Sequence, residues 1–327
     1  MAGLNRRSRQ QGAALLTAMI IVTLISSIAA AMVWRQYRAV QIEAAERARA
    51  QASWVLFGSL NWARLILRED ARANTNSDVD HLGEVWAVPL AEARLSTFLA
   101  LDTSNTDAGP EAFLSGSIAD AQARYNLHNL VDGVKVSALE QRTLTRLCET
   151  AGVAQGTALQ LISFLRAAFP STTTTSDSSS TNSTSTVPLK PHTLDQLTWL
   201  GISTTTIERL RPYVTLLPKT TPVNLNTASR EVIAALFDNM DLASAERLVQ
   251  VRKASPLTTI QAAKDYLPST AEISSERVSV SSTFFYVRGK LRLDERTLEE
   301  RSLIRRDSLD MVVVSRQRLN TTDEASK

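Results

Sequence analysis

The stretch RSRQQGAALLTAMIIVTLISSIAAAMVW, Arg7 to Trp34, decides how the chain begins. From Ala13 to Trp34 it carries no charge, no Pro and no Gly, and its 22 residues, at about 1.5 Å each, make a helix of roughly 33 Å, enough to span a bilayer. The short segment ahead of it is basic, with Arg6, Arg7 and Arg9 and no acid. That side stays cytoplasmic by the positive-inside tendency, which sends Arg35 onward to the other face.

An ordinary secretory signal would be cut after Ala31, behind the small residues Ala29 and Ala31, but this apolar run exceeds the usual ~7 to 15 residues. A lipoprotein signal needs a Cys after the run, and none is there. A short basic leader ending in Gly, followed directly by Ala-Ala-Leu-Leu-Thr, fits a prepilin-type signal cut between Gly12 and Ala13. Continuity favours that reading, because no Gly or Pro interrupts Ala13 to Phe57. Past Trp34 the residues Tyr37, Val40, Ile42, Ala44, Ala45, Ala48, Ala52, Val55, Leu56, Leu60 and Leu65 recur at three and four, between Arg and Glu. One helix to about Arg68, near 80 Å long, is expected, its second half lying along a folded domain.

Of the 36 basic residues three precede Gly12, leaving 33 against 33 acids in the remainder. A near-neutral chain has no long-range pull on polyanions. Cys148 stands alone, so no intrachain disulfide forms, and it reads as a small core residue.

After the stem, Asn74 to Asp80 is polar and turn-rich, and Val85 to Pro89 alternates as a short strand would. Gly116 to Leu130 reads as a strand leading into a turn at Asn126 to Asn129. From Ala138 to Leu267 the period is helical, with three similar helix–turn–helix stretches: Leu144 to Leu165, Leu194 to Val214, and Val232 to Val251. Ser171 to Thr186 contains no apolar residue and reads as a flexible loop. Phe285, Val287, Gly289, Leu291 and Leu293 alternate with Tyr286, Arg288, Lys290 and Arg292, the best strand in the chain. Leu298 to Arg306 and Met311 to Val314 supply antiparallel partners.

The leader, the stem and the segment Asp120, Arg124, Asn126, Leu127, Asn129, Leu130 together resemble the K-type minor pseudopilins of type II secretion, over essentially the whole chain. The resemblance implies an α+β, pilin-like fold, a long stem helix on an antiparallel sheet with a large all-α insertion of helix–turn–helix (SAM-like) pairs. The expected boundaries are a leader 1–12, a transmembrane helix 13–34, a periplasmic stem 35–70, a first αβ part 71–137, the insertion 138–270 with its loop 171–186, and carboxy-terminal strands 271–327. It implies a non-enzymatic inner-membrane subunit, amino terminus cytoplasmic and body periplasmic, cleaved at Gly12 and N-methylated on Ala13.

Thr17, the fifth residue after Gly12, carries the finer inference. Pilins and major pseudopilins have Glu there, pairing with a neighbour's amino terminus, and K-type proteins do not. The resemblance therefore implies the tip of the pseudopilus, although a helix residue bonding its own backbone reads the same way in the sequence. Leu15, Leu16, Met19 and Ile20 are the expected stem-packing residues. Implied partners are the I-, J- and H-type minor pseudopilins, the major pseudopilin, prepilin peptidase, the inner-membrane platform, the secretin and exoproteins.

A competing function comes from Pro222 to Lys253, which is similar to a helix-hairpin-helix module that grips DNA. Its hairpin, Asp238 to Leu242, has no Gly and two acids, which repel phosphate. Asn226 or Thr227 is expected to cap the helix that follows. A type IV pilus accessory is a third reading. His81, His128 and His192 are scattered, no triad or zinc spacing occurs, and Asp78, Asp80 and His81 read as a solvated turn. Some family members bind calcium in the insertion, but Ser163 to Phe169 holds no carboxylate where the acids usually lie, so no cofactor or metal ligand is assigned; Asp177, Glu208 and the acids near Asp238 leave a second place open for calcium.

Overall fold

The computed structural model describes residues 8–73, 78–95, 112–131, 137–154, 156–169, 189–293 and 296–319, with side chains from Ala13. The loop expected at 171–186 lies outside the described residues. Two compact units divide after Phe57.

Helix α1 is Ser8–Ala73, one element of 66 residues with the unbroken continuity expected of a stem. In the first unit it is long and apolar enough to cross a membrane. In the second unit its last turns carry Leu60, Ala63 and Leu67, all buried at three- and four-residue spacing against Trp86, Phe285, Val287, Ile304 and Met311. Trp86 meets Phe285 edge to face at 5.3 Å.

Strands follow as β1 (Leu90–Arg94) and β2 (Ala112–Asp120). The strand expected at Val85 to Pro89 is instead a 3-10 turn, Val85–Ala87. Glu84 Oε2 accepts from the His81 N–H at 3.1 Å and the Trp86 indole at 2.5 Å, which folds the chain back and drives Trp86 inward. Val85 and Val88 are left exposed, so their alternation reflected a turn.

β2 runs through a turn into the insertion, which contains β3 (Tyr125–Asn126), α2 (Ala138–Thr150), α3 (Thr157–Ala168), α4 (Thr204–Leu210), β4 (Val214–Thr215), β5 (Val223–Asn224), α5 (Arg230–Leu236), α6 (Leu242–Ala254) and β6 (Val278–Ser279). It is helical with two additions, since β3 pairs parallel with β4, and β5 parallel with β6. The three similar stretches resolve into two repeats. Each has a short strand, a helix pair, a 3-10 turn (Leu194–Leu200 or Ile260–Tyr266) and a closing strand. The stretch Leu194 to Val214 closes the first repeat with the expected pair of short helices, the 3-10 helix Leu194–Leu200 and α4, joined by a turn at Gly201.

Both repeats share one core, in which Leu144, Leu147, Leu161 and Leu165 pack with Val232, Ile233, Leu236 and Leu248. Cys148 is buried there, and burial pushes its thiol up to about 11. The Tyr125 hydroxyl donates to Glu140 at 2.6 Å, and Glu140 pairs with Arg277 at 2.8 Å, so a buried chain of polar groups crosses from one repeat to the other.

The chain leaves the insertion as β7 (Phe284–Leu293), β8 (Arg296–Asp307) and β9 (Asp310–Leu319). The sheet is antiparallel in the order β1-β2-β7-β8-β9. Arg64 and Arg68 of α1 donate to the Met311 and Leu309 carbonyls at 2.8 and 3.0 Å, holding the helix to the last hairpin. Gly116 of β2 lies opposite Gly289 of β7, and a Cβ on Gly116 would sit 2.9 Å from the Arg288 carbonyl oxygen. That oxygen is main chain and cannot yield without disturbing the ladder. Gly116→Ala should cost about 1 to 3 kcal/mol, whereas Gly58→Ala, in a helix with nothing within 4 Å, should gain roughly 0.5 to 1 kcal/mol. Thermal unfolding of the two variants checks this, and a Gly116→Ala midpoint equal to the parent's would contradict it.

Candidate assembly site

Two regions have features that could serve assembly: the apolar face of the first unit and the polar joint that fastens the insertion to the sheet. In the first, Leu15, Leu16, Met19 and Ile20 each expose between 60% and 66% of their surface. These side chains are available to lipid or to other helices. The Thr17 hydroxyl donates to the carbonyls of Ala13 at 3.1 Å and Ala14 at 2.9 Å. Thr23 and Ser27 do the same to Ile20 and Leu24. Their donors are thus satisfied within the helix, and none asks for a partner in hydrocarbon. Gly12 lies inside α1, on the same continuous helix as Ala13.

The second region is built around Asp120, at the end of β2, with its side chain buried. Its Oδ1 accepts from the Gln122 N–H at 2.7 Å. Its Oδ2 accepts from Asn224 at 3.1 Å, Thr227 at 2.5 Å and Ser282 at 2.6 Å. Burial raises the Asp120 carboxyl above its ordinary range, and these four donors pull it back. The Asn224 amide also donates to the Asp80 carbonyl at 3.1 Å, while its Oδ1 accepts from the Asn226 N–H at 2.9 Å. Asn226 then holds both the N–H and the carbonyl of Leu257 at 2.9 Å.

Asn226 and Thr227 are therefore not helix caps, contrary to expectation. The cap of α5 is Ser229, whose hydroxyl accepts from the Val232 N–H at 3.4 Å. The physical reason is burial: Thr227 is drawn to the Asp120 carboxylate and Asn226 to Leu257, which leaves the first exposed hydroxyl downstream to begin the helix. The first repeat uses the same device. Asn126 Oδ1 accepts from the His128 and Leu217 N–H groups, and its amide donates to Lys219 O at 2.8 Å. Asn129 pairs with both main-chain groups of Thr221. These residues are backbone-satisfying, as expected.

Asp80 is fully buried and does not lie in a solvated turn. Its Oδ2 accepts from the Ser282 N–H at 2.6 Å and pairs with Arg306, while its Oδ1 has no hydrogen-bond partner among the described residues. Arg306 also reaches Asp70 at 3.4 Å and the Ser282 carbonyl at 2.6 Å. One carboxylate oxygen from each of Asp70, Asp80 and Glu84 falls within 4.8 Å of the others. The guanidinium of Arg306 already supplies a cation to two of them. Burial pushes Asp80 up to about 7 and Asp70 to about 6, against the pull of Arg306.

Of the carboxylates left open for calcium, Glu208 and Asp238 are engaged by arginines. Glu208 is bound to Arg211 at 2.7 Å, Asp238 to Arg142 at 2.9 Å and to Arg146, and Asp177 lies outside the described residues. The helix-hairpin-helix segment is likewise occupied by its own chain. Hydrogen bonding to Arg142 lowers Asp238, Asp241 caps α6 by accepting from the Ser244 N–H at 2.7 Å, and Asn239 takes the positive φ of 62° where a phosphate-gripping hairpin would use Gly.

Two family models, both described as type II secretion system protein K, match residues 223–281 and 123–219. Their limits follow the two structural repeats. Full-length relatives agree: the type II secretion system protein K of Pseudomonas aeruginosa is 28% identical over 89% of this chain and 87% of its own length. That of Pectobacterium carotovorum is 26% identical over 95% and 97%, and that of Klebsiella pneumoniae 29% over 89% and 92%. Over most of its length the chain is thus similar to type II secretion system protein K. Its fold is shared with a chain in the crystal structure of the GspK-GspI-GspJ complex from enterotoxigenic Escherichia coli, with a TM-score of 0.63 at 19% identity, covering 85% of this chain and 99% of that one.

In this chain the raised carboxyls make a testable demand on pH. Their folded values lie above the unfolded value near 3.8, so the folded state holds protons that the unfolded state has released. The stability they contribute is present at low pH and lost as pH rises through about 6 and then 7. The thermal midpoint should be higher at pH 6 than at pH 8, and Asp80→Asn should flatten most of that difference. A midpoint that stays level or climbs from pH 6 to pH 8 would contradict the raised values.

Proposed function

We propose that this protein is a structural minor pseudopilin that is cut between Gly12 and Ala13, methylated on Ala13 and placed at the tip of the periplasmic pseudopilus. The observation that carries the reading is Thr17. Its hydroxyl is consumed by its own helix, and it offers no carboxylate to the amino terminus of a subunit ahead. A buried carboxylate in hydrocarbon would be costly without that partner. A subunit lacking it can end a filament with no charge left uncompensated.

In this reading α1 anchors the protein in the inner membrane as a single pass, with the leader cytoplasmic and the second unit periplasmic. Leu15, Leu16, Met19 and Ile20 pack against other stems. The partners are the I- and J-type minor pseudopilins, which accompany the related E. coli chain in its crystal structure, and beyond them the H-type and major pseudopilins, prepilin peptidase, the inner-membrane platform, the secretin and exoproteins. Catalysis and cofactors have no part in it. DNA binding is disfavoured because the hairpin, Asp238 to Leu242, carries two acids and has Asn239, not Gly, at its positive-φ position.

Mass spectrometry of the protein recovered from membranes should find a chain starting at methylated Ala13, and Gly12→Glu should leave it full length. A chain starting after Ala31 would overturn the leader assignment. Thr17→Glu should insert normally but be recovered within filaments as well as at their ends. Unchanged recovery at the ends alone would remove the physical basis of the tip placement, while co-purification with I- and J-type pseudopilins tests the partnership separately.

A further inference from the structure

Where the first repeat meets the outer strands of the sheet, residues from both enclose a cavity of about 40 Å3. By the space a bound water needs, this is room for roughly three waters or one small oxyanion. Its charged lining has a single sign. Arg124 enters from the turn after β2, Arg211 from the end of α4, Arg301 from β8, and His192 from the segment before the 3-10 turn; among the described residues no carboxylate lines it.

The three guanidiniums differ in what they already hold. Arg211 is committed to Asp195 at 2.5 Å and Glu208 at 2.7 Å. Arg301 donates to Gln317 at 3.1 Å and stacks over the Tyr286 ring at 5.5 Å, which leaves most of its donors unused among the described residues. Arg124 makes no hydrogen bond and no ion pair among the described residues. A half-buried arginine with five N–H donors and no acceptor is an unbalanced charge, made worse by two like charges beside it. Burial first, and then Arg301 and Arg211, lower its basicity, with Tyr286 and Asp120 opposing them. The Thr215 and Ser315 side chains complete the wall, with the Thr215 hydroxyl in contact with the Tyr286 hydroxyl at 3.0 Å.

We propose that this cavity is a binding site for one small inorganic oxyanion of phosphate or sulfate type, held by Arg124 and Arg301. Planar guanidiniums match such an anion with paired, charge-assisted N–H···O bonds. Because Arg124 belongs to the entry of the insertion and Arg301 to the sheet, the anion acts as an ionic clamp between them. The site is independent of the assembly role.

Equilibrium dialysis of the full chain in detergent with labelled phosphate, at constant ionic strength in chloride, should find one phosphate per chain, displaced by sulfate and not by added chloride. The thermal midpoint should rise with phosphate and stay level with matched sodium chloride, as a ligand bound only by the folded state requires. Arg124→Gln should weaken binding at least about tenfold and Arg124→Lys, which keeps the charge but loses the paired geometry, by less. If Arg124→Gln does not fold, Arg301→Gln carries the same test. Absence of chloride-resistant phosphate binding to the parent chain, or equal binding by the parent and whichever glutamine variant folds, would overturn the proposal.

Discussion

A carboxylate taken out of water must be given donors, and Asp120 receives four of them. The donors come from the turn that enters the insertion, the start of the second repeat and the strand connection that leaves it. Asp120 and Ser282 are 162 residues apart in sequence, yet β2 and β7 are neighbours in the sheet with Asp120 opposite Phe285. The insertion therefore departs from and returns to one point of the sheet. Closing a loop of that length is entropically tolerable; what it needs is a fixed base, and the Asp120 cluster supplies one. Asp80 and Arg306 extend that base to the turn beyond α1, since Arg306 holds Asp70, Asp80 and the Ser282 carbonyl together.

The two units solve the same hydrogen-bonding problem in opposite ways. Along the apolar run, the hydroxyls of Thr17, Thr23 and Ser27 close on carbonyls three or four residues back. In the second unit polar side chains reach across long sequence distances: Arg64 to Met311, Asn129 to Thr221, Arg277 to Glu140. Local closure leaves a helix surface that other molecules meet only through shape and dispersion. Long-range closure gives a body whose polar contacts are specific and costly to break.

This difference also explains what could be read from the sequence. Period two over Phe285 to Leu293 and period three to four along the stem are properties of one segment, and both elements formed, although Tyr37, Val40, Ile42 and Leu65 of the expected stem face are exposed while Ala63 and Leu67 are buried. The family resemblance added the order of the parts. What escaped were features decided by a distant partner. Val85 to Pro89 alternates, but Glu84 and the socket for Trp86 make it a turn. Asp80 looks solvated among polar neighbours until Ser282 and Arg306 arrive from the other end of the chain. Asn226, Thr227 and Ser229 are equally good caps by local rule, and only Asp120 and Leu257 decide among them. Two-residue ladders are too short to leave a period. Their one visible trace was the recurrence of Asn-Leu after a large apolar residue, at Tyr125-Asn126-Leu127 and Val223-Asn224-Leu225, which marks the same corner in each repeat.

For Thr17 the structure adds a physical reason why a non-acidic residue is comfortable there. Threonine is a moderate helix former whose hydroxyl can be absorbed by the preceding turn, so the position makes no demand on its surroundings. A glutamate at the same place would have to be neutralised, by a proton or by a neighbour's amino terminus, before the helix could sit in hydrocarbon. The substitution thus removes a requirement and adds no contact. Under the proposed role, the end of the filament would then be set by the one subunit whose stem is complete without a partner ahead of it, while the exposed Leu15, Leu16, Met19 and Ile20 still allow it to pack against those behind.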